Sequence, residues 1–222
     1  MMMDTKHQRV GVFIDVQNMY YSARNLFDRK VNFGNVVKKL VDKRQLIRAI
    51  AYVVSTKAGE NIPFFDALKG MGIEAKEKEL KEYFSGQKKA DWDVGIAIDA
   101  VEIADGLDVV LLVSGDGDYI PLVRYLQHRG KIVEVASFRE TTSSELIEVV
   151  GRHRFTNLSE NKRTFLMGDS GHDSSAPLNT VQKANGGLSA SSSDFRVPPA
   201  ESEAAKPIAD EDLSPNERAL NN

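Results

Sequence analysis

Acidic side chains follow short apolar runs at two places in this chain. The run at 10–14 leads directly into Asp15, and the run at 109–113 leads into a loop that carries Asp116 and Asp118. Short β-branched runs of this kind are typical of strands that are buried in a parallel sheet. Ligands of open α/β sheets bind just beyond the carboxyl ends of such strands. Carboxylates from separate strand ends therefore predict a site for a divalent metal ion.

A third acidic segment precedes a run with helical character. Asp91 and Asp93 flank Trp92 at its start, and Asp99 lies inside its apolar part. Acids at a helix start complement the helix dipole, which explains one of the first two acids better than the pair. A buried carboxylate needs a partner, and the six-residue offset from Asp93 turns Asp99 to another face. We expect Asp99 to be structural, or to lie behind the ligands.

Some of these positions also have purely structural explanations. Asn18 lies one helical turn beyond Asp15, so both side chains can face the same site, but Asn is also a common helix cap. In the loop that begins at Ser114, the glycines allow a tight turn, and Asp118 could cap the helix that follows. Asp116 has no comparable structural role in this pattern and is the stronger candidate ligand.

The donor types restrict the identity of the metal. The chain has no cysteine and its histidines are not clustered, so hard carboxylate oxygens favour Mg²⁺ or Mn²⁺ over Zn²⁺. The Asp-Gly-Asp sequence lacks the spacing of an EF-hand calcium loop, and the chain has no GxxxxGK[ST] phosphate loop. Mg²⁺ and Mn²⁺ are suited to phosphoryl chemistry.

Basic residues lie near the expected edge of this site. They are Lys81, Lys88, Lys89 and Arg139. A charge run is usually a solvated face, but these positions would also allow contact with a polyanion. The formal net charge of −3 arises entirely after residue 160, because the preceding part carries equal numbers of acidic and basic side chains. Nucleic-acid binding would therefore depend on local patches.

The elements that must position these residues alternate along the chain up to about residue 158. The predicted strands are 10–15, 46–54, 73–80, 108–113 and 131–137. The predicted helices are 18–27, 33–43, 63–71, 91–104, 118 or 119 to 129, and 143–150. This alternation predicts a parallel sheet between two helical layers, an α/β three-layer fold. The Lys and Glu residues of 73–80 indicate an exposed edge strand. If the first strand is central, the first and fourth strands can be neighbours whose carboxyl ends meet.

The composition divides the chain into three parts. We expect a flexible N-terminus at 1–8, one domain at 9–158, and a disordered tail at 159–222 that is rich in Ser, Gly and Pro and mildly acidic. Within this tail, 209–220 could form a short helix that binds a protein partner. No apolar signal segment or membrane-spanning run is present, so we expect a cytoplasmic protein with no membrane partner.

Three of these segments together resemble the NYN domain, and more closely its LabA-like branch. The matching segments are Phe-Ile-Asp-x-x-Asn at 13–18, Lys-x-x-Asp-Trp-Asp at 88–93 with Asp99, and Ser-Gly-Asp-Gly-Asp-Tyr-x-Pro-Leu at 114–122. They occur in the expected order over residues 9–158. The last segment is the most specific.

The resemblance implies a PIN-like fold with strand order 3-2-1-4-5 and a metal-dependent ribonuclease that cleaves RNA. It implies that Asp15, Asp93 and Asp116 hold Mg²⁺ or Mn²⁺, and that Asn18 and Asp118 complete the catalytic site. Asp91 is an extra acid that could exchange roles with Asp93, and Ser114 and Asp99 would be secondary positions. Lys88, Lys89 and Arg139 would steer the RNA backbone.

Two other functions remain open from the sequence. The domain could bind RNA or a protein without cleavage, as a regulatory module whose tail recruits the partner. A metal-dependent phosphatase on a related α/β sheet is a weaker alternative, because the first strand ends in Asp15-Val-Gln and lacks the Asp-x-Asp nucleophile pair. The number of acids expected at one site favours the nuclease over both.

Overall fold

A computed structural model describes residues 5–55, 61–82, 88–89 and 91–168, with the backbone alone at 81–82 and 88–89. The strands are β1 (Arg9–Asp15), β2 (Gln45–Ser55), β3 (Glu74–Glu79), β4 (Lys81–Glu82), β5 (Lys88–Lys89), β6 (Val109–Val113), β7 (Ile132–Ser137) and β8 (Phe155–Asn157). The helices are α1 (Val16–Phe27), α2 (Phe33–Val41), α3 (Ile62–Gly70), α4 (Asp93–Ile103), α5 (Ile120–His128), α6 (Ser144–Val150) and α7 (Lys162–Phe165).

Six strands form one parallel sheet in the order β3-β2-β1-β6-β7-β8. The predicted three-layer fold and the predicted order 3-2-1-4-5 are confirmed, with β6 and β7 as the fourth and fifth strands. The exposed β3 forms one edge, as its alternating charges indicated. Neither β8 nor the two-residue pair β4-β5 was predicted from the sequence. β8 has only three residues and no recognisable alternation.

Helices cover both faces of the sheet because successive side chains of each central strand point to opposite sides. In β1, Val12 and Ile14 pack into a core with α1, α2, α3 and α7. The intervening Phe13 packs into a second core with α4, α5 and α6. Both cores are apolar and enclosed, so the carboxyl edge of β1 and β6 is held rigidly between them.

The packed structure continues beyond residue 158, where the predicted tail begins. Phe165, the last residue of α7, and Leu166, which follows it, are buried in the first core. The backbone N–H of Asn32 donates to the carbonyl of Phe165 at 2.8 Å, and Leu166 forms an isolated bridge with Val31. A short apolar pair in a polar stretch gave no periodic signal, and only its long-range contacts fix it.

Other parts of the predicted termini lie outside the described residues. These are 1–4 and 169–222, and the latter include the possible helix at 209–220. Within the described part of the chain, no helix has both the length and the apolar character that are needed to cross a bilayer.

Candidate metal centre

The candidate site lies at the carboxyl edge of the two central strands. Ile14 of β1 pairs with Val113 of β6, so the residues that follow them emerge side by side. Asp15 is the last residue of β1, and Ser114 is the first residue after β6. The loop after β6 then carries the next two acids to this edge.

Asp15 is a buried carboxylate that performs two local tasks. Its Oδ1 accepts a hydrogen bond from the Asn18 backbone N–H at 3.0 Å, which caps α1. Its Oδ2 accepts from the Ser114 hydroxyl at 3.4 Å and from the Tyr119 hydroxyl at 3.3 Å. The side chain is otherwise enclosed, because Asp15 is only 8 % exposed.

Burial raises the pKa of Asp15 to about 6. The negative charges of Asp93 and Asp116 contribute to this increase in pKa, while the hydrogen bonds from Asn18 and Tyr119 act in the opposite direction. A carboxyl group with this pKa still carries its proton in about one molecule in ten at pH 7, and a nearby cation would favour its charged form. Asp15 is therefore electrostatically coupled to the two acids beside it.

Tyr119 joins Asp15 to Asp93. Its hydroxyl donates to Asp93 Oδ1 and lies within hydrogen-bonding distance of Asp15 Oδ2, at 3.0 and 3.3 Å. These two carboxylate oxygens can therefore be no farther apart than the sum of the two distances. The Tyr119 ring is buried in the second core, which fixes the hydroxyl in place. Burial, followed by the negative charges of Asp15 and Asp93, raises the pKa of Tyr119 and keeps it protonated.

Three carboxylates form a tight group beside this pair. One oxygen from each of Asp93, Asp116 and Asp118 lies within 4.8 Å of the other two. Burial raises the pKa of Asp93, and the charges of Asp116, Asp91 and Asp118 raise it further. Mutual repulsion of this kind is relieved by a cation. Asp15, Asp93 and Asp116 were the predicted direct ligands. The geometry instead groups Asp118 with Asp93 and Asp116, and Asp15 lies beside this group.

The loop from 114 to 119 is built by short hydrogen bonds. The backbone N–H of Asp116 donates to Ser114 Oγ at 3.2 Å, and that of Asp118 donates to Asp116 Oδ1 at 2.9 Å. Asp116 therefore caps the short 3₁₀ turn Gly117–Tyr119, which leads into α5. The structural alternative for Asp118, a helix cap, does not apply, and the interpretation that Asp116 has no structural role was wrong. Asp116 has one oxygen in the cap and a second that can face a ligand.

Asn18 connects α1 to this loop. Its Oδ1 accepts from the Gly115 backbone N–H at 3.0 Å, while its own backbone N–H is capped by Asp15. The structural alternative for Asn18, a helix cap, does not apply, because α1 begins at Val16 with Asp15 as its cap. Asn18 thus fixes the position of the loop relative to β1.

Asp91, Trp92 and Asp99 lie around α4 in different environments. Asp91 lines the cleft beside Asp93. The Trp92 indole N–H donates to the Val53 carbonyl at 2.9 Å, and its ring packs edge-on against Tyr52. Asp99 accepts from Tyr52 Oη and Lys76 Nζ, both at 2.6 Å. Burial alone would raise the pKa of Asp99, but these two bonds hold it below its ordinary value. Asp99 is thus a side chain of α4 that is paired with Tyr52 and Lys76, and it does not belong to the acidic group.

A cleft of about 360 Å³ opens above the acids. Apart from Asp15, Asp91, Asp93 and Asp116, its lining consists of uncharged polar and aromatic side chains, which are Gln17, Asn18, Tyr21, Ser22, Asn25, Trp92 and Thr141. Five of these come from α1 at positions 17, 18, 21, 22 and 25. They form one polar face at helical spacing, so the sequence contained a signal that the analysis did not use. The role of Tyr119 had no comparable signal.

Of the predicted basic residues, only Arg139 has a described side chain, and it does not line this cleft. Arg139 follows β7 and lies in a separate groove on the other side of the turn Arg139–Thr141. Lys88 and Lys89 form β5, which pairs with Lys81 and Glu82 and leads into α4, but their side chains lie outside the described residues. The predicted contact of these residues with RNA stays a prediction.

Comparison with known proteins agrees with this architecture. The family model of the NYN domain matches residues 9–159. The chain is 25 % identical over 154 residues to "Low amplitude and bright protein LabA" of Synechococcus elongatus, covering 65 % of this chain and 82 % of that protein. A crystal structure of a protein of unknown function from Vibrio parahaemolyticus superimposes with a TM-score of 0.66 and 32 % identity, covering 75 % of this chain and all of that one.

Proposed function

The chain belongs to the NYN domain family, and from this premise we propose that it is a metal-dependent ribonuclease that hydrolyses RNA phosphodiesters at the acidic cleft. The observation that carries the proposal is the convergence of carboxylates from three chain segments. Asp15 ends β1, Asp93 begins α4, and Asp116 and Asp118 follow β6. A domain that served only as a scaffold would gain nothing from this repulsive arrangement.

The donor set suits a hard divalent cation. Asp93, Asp116 and Asp118 offer carboxylate oxygens within 4.8 Å of one another, and no sulfur or imidazole donor belongs to that group among the described residues. Such ligands favour Mg²⁺ or Mn²⁺. Burial, together with the neighbouring negative charges, raises the pKa values of Asp15 and Asp93, and a cation would favour the charged form of both. When bound, the metal would lower the pKa of a water molecule and neutralise the charge that develops on the phosphate.

The protein's own residues would orient the reacting groups. Tyr119 donates to Asp93 Oδ1, which leaves Oδ2 of Asp93 to face the cleft. Asp118 is exposed at the mouth of the site and could orient the attacking water or accept its proton. The amide and hydroxyl side chains of α1 line the opposite wall, where they could hydrogen-bond phosphate oxygens or a ribose 2′-OH.

An Asp116→Asn variant tests the proposal. Asparagine keeps the oxygen that caps the turn after β6, so we expect the fold to persist, and it removes the charge that would hold the metal. Cleavage of single-stranded RNA in Mn²⁺ should fall by at least about a hundredfold. Mn²⁺ at about a hundred times its dissociation constant should raise the melting temperature of the wild type by about 5–10 °C, and that of the variant far less.

The matched control is Asp66→Asn, which removes an exposed acid on α3, away from the cleft. It should cleave RNA and respond to Mn²⁺ as the wild type does. Equal cleavage by the wild type and the Asp116 variant would contradict the proposal and indicate a contaminating nuclease. RNA binding that persists in EDTA, without cleavage in Mn²⁺, would favour the non-catalytic RNA-binding alternative.

A further inference from the structure

A second groove, of about 490 Å³, runs beside the edge strand β8. It lies between this strand, the start of α6 and the turn that follows β7. Arg139 and Arg152 contribute positive charge to its lining, and Phe155 contributes an aromatic ring. We call this feature the edge groove. The function proposed above makes no use of it.

The edge groove adjoins the acidic cleft. The single 3₁₀ turn Arg139–Thr141 separates them, with Arg139 lining the edge groove and Thr141 lining the cleft. Such a turn is only about 6 Å long at about 2 Å per residue. Thr141 is fixed there because its hydroxyl donates to Ser22 Oγ on α1 at 2.9 Å. A strand of nucleic acid that leaves the cleft over this turn would enter the edge groove directly.

The two arginines are available for a ligand. Both side chains are exposed, and neither guanidinium forms an ion pair with another residue of the described chain. The backbone beneath Arg139 is held firmly, because its N–H donates to Asn157 Oδ1 at 3.1 Å. Phe155 is half-buried against the second core, which fixes its ring at the groove wall. A groove that combines arginines with an aromatic ring is the usual form of a single-strand binding site.

We propose that the edge groove binds the stretch of single-stranded RNA that flanks the phosphate in the acidic cleft. Arg139 and Arg152 contact backbone phosphates, and Phe155 supports a base. This inference rests on the proposed ribonuclease function, because it assigns the groove to the same substrate. Among the described residues, no basic side chain lines the acidic cleft, so affinity for a polyanion has to come from side chains beside it.

Acidic side chains in the groove give the proposal a test of opposite sign. Glu148 and Glu160 also line it and are exposed. Glu160 accepts a hydrogen bond from Asn157 Nδ2, whereas Glu148 has no such partner among the described residues. Removing the charge of Glu148 should strengthen RNA binding, because it eliminates repulsion of a phosphate without disturbing a contact within the protein.

The experiment measures the affinity of the full chain for a short single-stranded RNA in Mg²⁺. All proteins carry Asp116→Asn, so that the RNA stays intact. Arg139→Ala and Arg152→Ala should each lower the affinity about tenfold at low salt. Together they should reduce the slope of log affinity against log salt by about 1.4. Glu148→Gln should raise the affinity, and Phe155→Leu should lower it several-fold.

The control is Arg129→Ala, which removes an exposed arginine at the opposite end of the sheet, before β7. Its affinity should match that of the parent. If both groove arginine variants bind RNA as the parent does, or if no RNA binding is detected at all, the inference is overturned. Unchanged binding by the two variants would favour a peptide as the ligand of the edge strand. RNA binding that depends on these arginines, in a protein whose wild type cleaves no RNA, would refute the proposed function and leave the groove assignment standing.

Discussion

At the scale of single residues, the burial of Asp15 carries an electrostatic cost. Its carboxylate is enclosed, and the nearby acids oppose its ionisation, so its pKa rises to about 6 from an ordinary value of 3.8. The neighbouring Tyr119 hydroxyl offsets part of this cost through its hydrogen bond. Sites that act on ligands often retain such unfavourable charges, because the ligand relieves them.

The metal-free protein should therefore lose stability as the pH rises from about 4 to about 6. In this window the folded state keeps the Asp15 proton that the unfolded chain has released, so the unfolded state is favoured as protons become scarce. Asp15→Asn removes the titration. In EDTA near pH 7 it should raise the free energy of unfolding by up to about 3 kcal/mol, measured by urea denaturation.

Asp108→Asn provides a comparison of opposite sign. The exposed Asp108 pairs with Arg9, whose hydrogen bonds lower the pKa of Asp108 to about 2. Its contribution to stability is present above the unfolded pKa and is lost as the pH falls through about 2, so this variant should lose a little stability near pH 7. Asp15→Asn could instead lower the free energy of unfolding at neutral pH by as much as it does near pH 4. That result would show that Asp15 is not under electrostatic strain.

At the scale of elements, the loop after β6 is tightly packed at Gly115. A Cβ at Gly115 would lie 2.8 Å from Ser137 Oγ, 3.0 Å from Thr142 Oγ1 and 3.1 Å from the Thr141 carbonyl oxygen. The Gly115 carbonyl also accepts from the Ser143 backbone N–H at 2.9 Å. The glycine is thus required by the close approach of the 141–143 segment and not by its backbone angles.

Gly115→Ala should displace this loop and with it the acids at 116 and 118. We expect a loss of about 1–3 kcal/mol in the free energy of unfolding, together with weaker Mn²⁺ binding measured by calorimetry. Gly106→Ala is the matched change, because a Cβ at Gly106 would meet nothing within 4 Å and its φ is not positive. Similar effects of both substitutions would mean that the contact at Gly115 is unimportant.

At the scale of the whole molecule, the segment after β8 closes the first core. Leu166 is 3 % exposed and Phe165 is 7 % exposed, and both pack with residues of α1 and α2. The Met167 backbone N–H donates to the Lys30 carbonyl at 2.8 Å, and Asn35 Nδ2 donates to the Thr164 carbonyl at 2.9 Å. These contacts attach the described end of the chain to α2 and to the loop before it.

Leu166→Ala should therefore destabilise the domain by about 2–5 kcal/mol, as expected for a leucine removed from a packed core. The adjacent Met167→Ala should change stability by less than about 1 kcal/mol, since Met167 is 38 % exposed. Denaturant unfolding of the full chain distinguishes the two. Equal, small effects would place the segment from 159 in the tail, as the sequence analysis expected.

The sequence by itself determined the sheet and the presence of acids at its carboxyl edge. Buried β-branched runs are local patterns. Because β1 ends in Asp15 and the loop after β6 carries Asp116 and Asp118, these acids could be recognised without contacts. Asp93 could be recognised in the same way at a helix start. The strand order followed from the family resemblance alone, because the pattern of elements does not determine it.

Only the tertiary structure decided how these acids relate to one another. The bridging hydroxyl of Tyr119, the grouping of Asp118 with Asp93 and the raised pKa of Asp15 depend on distances between segments that are remote in sequence. The same holds for β8, for the burial of Leu166 and for the separation of Arg139 from the acidic cleft. Periodicity reports which face of an element is apolar, whereas burial and Coulomb interactions depend on what packs against that face.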